Sequence, residues 1–143
     1  PIIMLGKHYF SIIHAGWRGL INDIILKTVD VMILKGEKAS EIKVFVGPHI
    51  MQRSFEVKDD FIRILKRKIK SFDDFILQKN KKIYFNFTEL IKKKIFECKI
   101  SDLEVSIEDT YSNPNKFYSH RYCHVNKIKN CGRQISLVGI KNK

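Results

Sequence analysis

Apolar positions in this chain fall into short segments with distinct periods. Ile2-Ile3-Met4-Leu5 and Tyr9-Phe10-Ser11-Ile12-Ile13 are apolar runs separated by Gly6-Lys7-His8. They predict two strands, Pro1 to Leu5 and Tyr9 to Ile13, joined by a hairpin-like turn whose glycine takes a positive φ. Leu20, Ile24, Ile25, Thr28, Val31 and Met32 then recur at the spacing of one helix face, and Gly36 stands where a helix-ending glycine belongs. Ile42 to Val46 reads as a β-branched strand stopped by Gly47-Pro48, because proline offers no ladder donor. Phe55-Glu56-Val57 leads into Asp59 and Asp60, acidic residues suited to a helix start, with Phe61, Ile62, Leu65 and Ile69 as the apolar stripe.

Phe72 to Leu77 is apolar with paired aspartates, Gln78 to Lys82 reads as a basic loop, and Ile83 to Phe87 as a strand. Asn86 or Thr88 is placed to cap a helix running to about Cys98, with Leu90, Ile91, Ile95 and Phe96 facing inward. Leu103, Val105 and Ile107 alternate with polar neighbours as in a half-buried strand ending at Glu108-Asp109-Thr110. Asn113-Pro114-Asn115 is a turn, Cys123 to Cys131 a polar surface loop, and Gln134 to Ile140 a closing strand. These elements define an α+β fold of mixed sheets flanked by helices, in one domain spanning residues 1–143.

Composition adjusts this picture in three ways. The length of 143 residues and 44% hydrophobic content suit one ordinary folded domain, and no apolar run approaches the length needed to cross a bilayer. The net charge of +12 favours anionic partners, but the lysines are scattered over several elements and form no known nucleic-acid motif. Cys98, Cys123 and Cys131 show no spacing of a zinc knuckle or a disulfide framework, so a reducing, cytoplasmic location is expected. The first residues lack a basic leader, and a start at Pro1 in mid-strand pattern suggests that the natural beginning lies upstream.

Candidate chemistry gathers at the junction of the second strand and the first helix. There His14-Ala15-Gly16-Trp17-Arg18-Gly19 delivers an imidazole and a guanidinium into one turn beside the chain's single tryptophan. Arg18, Arg121 and Arg133 are candidates to hold phosphate, since guanidinium presents a planar fork to its oxygens. Arg121, among Tyr118 and Tyr122, could equally serve by stacking.

The motif His14 to Gly19, together with Val46-Gly47-Pro48-His49-Ile50, Ser54-Phe55-Glu56-Val57, Phe117-Tyr118-Ser119-His120-Arg121 and Gly132-Arg133-Gln134, resembles one family. It is the family once labelled multicopper polyphenol oxidases, laccase-like, and now described as zinc-dependent purine nucleoside phosphorylases. The resemblance covers most of the chain and implies that this is the larger, C-terminal part of the family's domain. It implies phosphorolysis of adenosine, inosine, guanosine or methylthioadenosine, with phosphate as partner and adenosine deamination as a companion activity. It also implies a zinc site (copper in the older description) built from two histidines and a cysteine.

Of those ligands only His14 falls inside this chain. The family's other histidine and its cysteine, in an Asp-Cys pair upstream of a proline that Pro1 matches, precede this region. His8, His49 and His120 are the candidates to stand in. Arg18 and Arg121 are the expected catalytic residues, although the family's second arginine after Arg121 is replaced here by Tyr122. Two rival readings are a non-catalytic remnant of that enzyme and a basic nucleic-acid-binding module that stacks bases on the Phe117 to Tyr122 segment.

Overall fold

Strand β1 (Ile2–Leu5) pairs antiparallel with β2 (Phe10–Ile13) on one side and with β3 (Lys43–Val46) on the other, and β3 pairs in parallel with β7 (Asp102–Val105). The computed structural model describes residues 1–139 of the chain. Its first sheet has the order β2-β1-β3-β7, so β2 and β7 are its edges. Ile2 and Met4 of β1 stand beside Val46 and Val44 of β3, and these four buried side chains begin the core.

Helices α1 (Trp17–Ile21), α2 (Ile24–Leu34) and α4 (Phe87–Glu97) pack on one another and complete that core through Leu20, Ile25, Val29, Met32, Leu90, Ile91 and Ile95. A second sheet, β4 (Glu56–Val57), β6 (Lys82–Phe85) and β5 (Ile76–Lys79) in that order, carries α3 (Asp59–Lys66) and the short turn Phe72–Phe75. Phe85 from β6 is fully buried among Phe55, Phe61, Phe72 and Phe75, with ring centroids 5.4–6.2 Å away. A last helix, α5 (His120–Val125), follows the Asn113-Pro114-Asn115 turn. The architecture is the α+β arrangement of two sheets flanked by helices that the periodicity predicts. No described helix is long and apolar enough to cross a membrane.

Several local expectations are corrected. The predicted single helix from Leu20 breaks into α1 and α2 at Asn22 and Asp23, where Asp23 has φ 60° and its carboxylate takes a 2.6 Å ion pair from Lys94 of α4. An aspartate tolerates this left-handed backbone better than most residues. The inward position expected for Val31 belongs to Val29, and Val31 is 56% exposed. Gly36, at φ 97°, does end α2.

Gly6 does not have a positive φ. It is required because the Glu37 carboxylate sits where its Cβ would stand. That carboxylate accepts the backbone N–H groups of Lys7 (2.6 Å), His8 (2.6 Å) and Tyr9 (2.7 Å), which fixes the β1–β2 turn. Burial pushes the Glu37 carboxyl up, and the three donors outweigh it to hold the group below its ordinary value.

The Gln78 to Lys82 loop is instead a hairpin joining β5 to β6 through Asn80 and Lys81, both left-handed at φ 52° and 60° as a tight turn requires. Asn86 caps α4 as expected, accepting from the Glu89 N–H at 3.1 Å. Phe96, placed inward on that helix, lies exposed, and Ile107 stands outside β7, which stops at Val105. Residues 134–139 form no strand, and Ile135 and Leu137 are exposed. Ile140, the last residue of that expected strand, and the tail after it lie outside the described residues. Cys123 and Cys131 are joined by a disulfide, against the expectation of unpaired cysteines, and Cys123 lies within α5 rather than in a loop. Cys98 is free and buried, and burial pushes its thiol up.

Candidate functional site

His14 follows the last residue of β2, and Gly16 then starts α1 by accepting the Leu20 N–H at 3.0 Å. The histidine thus stands at a strand-to-helix junction, on an edge strand, with an exposed ring. Its Nε2 lies 3.8 Å from where a Cβ on Gly16 would stand, an ordinary contact distance, so the ring lies beside the turn. Trp17 points inward from α1 and packs on Phe61 of α3 with ring centroids 5.0 Å apart. The Arg18 guanidinium lies over the Trp17 ring at 4.3 Å.

From Phe61 the row of rings continues to Phe55 at 5.5 Å, and the Arg121 guanidinium covers Phe55 at 5.3 Å. Arg121 also donates to the Glu56 carbonyl at 2.8 Å, which ties α5 to β4. Arg18 and Arg121, far apart in sequence, therefore sit at the two ends of one aromatic row, Trp17–Phe61–Phe55. Arg121 stacks, as one reading of the sequence held, but on Phe55 rather than on Tyr118 or Tyr122. Arg133 is exposed and donates to the carbonyls of Cys131 (3.0 Å) and Gly132 (3.2 Å).

A buried polar node that sequence reading missed lies beyond the end of β3. Asp109, 0% exposed, accepts from the hydroxyls of Ser54 (2.6 Å) and Ser112 (2.7 Å), from Arg53 Nε (3.2 Å) and from the N–H groups of Tyr111 (3.0 Å) and Met51 (3.4 Å). Burial pushes its carboxyl up, but the two hydroxyls and two backbone donors bring it below the ordinary value. Beside it His49 extends the first sheet by a single parallel bridge to Asp109.

The His49 ring is 8% exposed and both its nitrogens are engaged, Nδ1 with the Gly47 carbonyl at 2.9 Å and Nε2 with Thr88 Oγ1 at 2.8 Å. A carbonyl only accepts, so Nδ1 carries the proton, and the neutral ring receives the Thr88 hydroxyl at Nε2. Both ring nitrogens being bonded, His49 does not offer itself as a substitute metal ligand.

Burial holds His49 below its ordinary pKa, and the Gly47 carbonyl and the Asp109 charge reverse only part of the effect. The folded chain thus refuses a proton that the unfolded chain accepts below about pH 6.5. The stability involved is present above that pH and drains as pH falls toward the folded value. Between about pH 7.5 and 5.5 the chain is expected to lose stability through this group. Urea denaturation at the two pH values, with His49→Gln as the comparison, checks it; equal pH dependence in both chains would refute the assignment.

Among the described residues, and with Cys123 and Cys131 joined as a disulfide, no group of three or more His, Cys, Asp or Glu is arranged to hold a metal ion. His14 is one imidazole, and a catalytic zinc site needs about three protein ligands. The residues present therefore do not complete the implied site. His8 is exposed on the β1–β2 turn. His120 stacks on His124, one turn later on α5, at 6.4 Å between ring centroids. His124 went unremarked in the sequence, yet its i, i+4 spacing from His120 is the signal that could have found it.

The sequence profile described as multi-copper polyphenol oxidoreductase laccase matches residues 1–141, and the chain belongs to that family. A purine nucleoside phosphorylase of Rickettsia prowazekii is 32% identical over 133 residues, covering 92% of this chain and 55% of the relative. An adenosine deaminase from an unknown prokaryotic organism is 29% identical over 80 residues, 54% of this chain and 30% of that protein. The crystal structure of a hypothetical protein YfiH from Bacillus licheniformis superposes with a TM-score of 0.75 at 24% identity, over 86% of this chain and 49% of that one, and so shares the fold. The chain spans about half the length of the relatives it matches.

Proposed function

We propose that this chain is the larger, C-terminal part of a purine nucleoside phosphorylase with adenosine deaminase as companion activity. Its substrates are adenosine, inosine, guanosine or methylthioadenosine, and phosphate is the partner anion. The observation that carries the reading is the placing of Arg18 and Arg121 at the two ends of one aromatic row that begins three residues from His14. The names of the relatives in the same family support it. A cytoplasmic location belongs to this proposal, since it keeps the enzyme with its phosphate and nucleosides.

In phosphorolysis a phosphate oxygen bonds to the ribose carbon that held the base, and the purine leaves. The chain's own residues serve that exchange by position and charge. Arg18 and Arg121 present guanidinium forks to phosphate and to the negative charge that develops as the base departs. Trp17, packed on Phe61, backs the Arg18 guanidinium and fixes where it stands. Zinc, when bound, supplies a hydroxide near neutral pH suited to deamination, with His14 as its ligand from this chain. Around His14 the described residues supply too few ligands to hold that ion.

The test is phosphate-dependent release of free purine from inosine and adenosine by the 143-residue chain and by a form extended upstream. The extended form is expected to turn over, and Arg18→Ala in it to lower kcat/KM by about 100-fold, the usual loss of one charge-stabilising donor. Purine release without phosphate, or an Arg18→Ala variant as active as its parent, would refute the proposal. Folded but inactive protein in both lengths would favour the non-catalytic remnant.

A further inference from the structure

The surface cavity beside α5 is distinct from the His14 turn, and nothing described so far uses it. Its volume is about 630 Å³, and its lining includes His120, Cys123, His124, Lys129, Cys131 and Arg133. Four of these six carry zinc-type donor atoms. At 100° per residue, His120, Cys123 and His124 fall within about a third of the helix circumference, so one face of α5 carries all three. Cys131 is brought to the same face by its bond to Cys123. Gly132 keeps the returning strand of chain there, lying so close to the Tyr118 ring that a side chain on it would collide.

We infer that Cys123 and Cys131, once reduced, join His120 and His124 as a Cys2His2 site for a zinc-like divalent ion, and that the disulfide is the closed, metal-free state of the same site. Three features support this. The sulfur atoms are already in covalent contact, so a single ion can reach both after the bond opens. The two imidazoles are parallel within 5° with centroids 6.4 Å apart. Zn–N bonds of about 2.0–2.1 Å in a tetrahedron would bring those centroids to roughly 5 Å, a change that side-chain rotation on an exposed helix face can supply. Finally, two thiolates cancel the two charges of the bound ion, so Lys129 and Arg133 at the rim face a neutral site once it is loaded.

The redox step balances with an external reductant. A cellular dithiol gives two electrons and two protons to the disulfide, yielding two thiols and its own disulfide. The ion then displaces both thiol protons as it binds. In a reducing compartment the metal form is favoured; a small-molecule disulfide, itself reduced to two thiols by the exchange, would expel the ion as the sulfur–sulfur bond re-forms.

Cobalt(II) titration of the 143-residue chain, oxidised or reduced with a water-soluble phosphine, tests the site. The phosphine takes up the disulfide's oxidising equivalents as phosphine oxide, with water supplying the oxygen and the two thiol protons. The reduced chain is expected to bind one equivalent with a sulfur-to-cobalt charge-transfer band and tetrahedral d–d absorption, and the oxidised chain to show neither. The band should survive His14→Ala and Cys98→Ser, vanish in Cys123→Ser and Cys131→Ser, and need at least about tenfold more cobalt in His120→Ala or His124→Ala. As a check free of variants, zinc should protect Cys123 and Cys131 of the reduced wild-type chain from alkylation. No charge-transfer band on reduction, a band that persists without Cys123 and Cys131, histidine variants that bind as tightly as the parent, or equal alkylation with and without zinc would each overturn the inference.

Discussion

Phe85→Ala is expected to cost about 3–5 kcal/mol of folding stability, the loss typical of emptying a large aromatic site. Phe85 is 0% exposed and touches Phe55, Phe61, Phe72 and Phe75, so no single neighbour can fill the void. A domain of this size has about 5–15 kcal/mol in total, and the variant should melt roughly 10 °C lower. Phe85→Leu, which keeps most of the volume, should retain much of the stability. Urea denaturation of the three chains checks the ordering, and a loss below about 1.5 kcal/mol for the alanine variant would show that the ring cluster closes over the gap. The effect should also reach the site, because Phe61 and Phe55, the middle and end of the row between the two arginines, both rest on Phe85.

Asp109→Asn is expected to destabilise the chain by about 3 kcal/mol or more despite its near-identical shape. Five donors from two distant segments converge on the carboxylate. An amide answers them with one oxygen and turns an NH2 group toward the rest, leaving buried donors facing a donor. The pH dependence should change as well. The folded carboxyl is held below its ordinary value of 3.8, so its contribution is present above that pH and is lost as pH falls toward the folded value. The asparagine variant lacks that part of the acid limb. Denaturation midpoints at pH 7 and in acid test both; a variant as stable as the parent, with an unchanged acid limb, would remove Asp109 from the centre of the node.

The helices and strands with clear periods were legible in the sequence because each is decided locally. Asn86 names the start of α4 and Gly36 the end of α2, and Ile2 to Ile13 could hardly pair in any other way. The errors fall where distant residues decide. Nothing in the apolar spacing after Leu20 marks a break, since the anchor of Asp23 is Lys94. Asn80 and Lys81 look like part of a basic loop until β4 supplies the neighbour that makes β6 a central strand. Ile135 and Leu137 alternate like a strand, but alternation yields one only where an edge accepts it.

The same division holds at the site. The turn from His14 to Gly19 is contiguous and could be singled out by eye. The row joining Arg18 to Arg121 passes through Phe61 and Phe55, two phenylalanines among 10, with no local mark of their role. Asp109 was hidden for the same reason, its donors lying at Met51 to Ser54 and at Tyr111 and Ser112. Cys123 and Cys131, eight apart, became a pair only when α5 and the returning chain were in place.

Helix α5 has six residues and little stiffness of its own, yet it faces two neighbours. Through Arg121 it is held to Phe55 and the Glu56 carbonyl, and through Cys123, two positions later, to the cavity and Cys131. Its two attachments are therefore only two positions apart on one helix. Reciprocity then applies: a ligand that tightens its grip when α5 shifts on one side must, by the same factor, alter the affinity for whatever binds on the other.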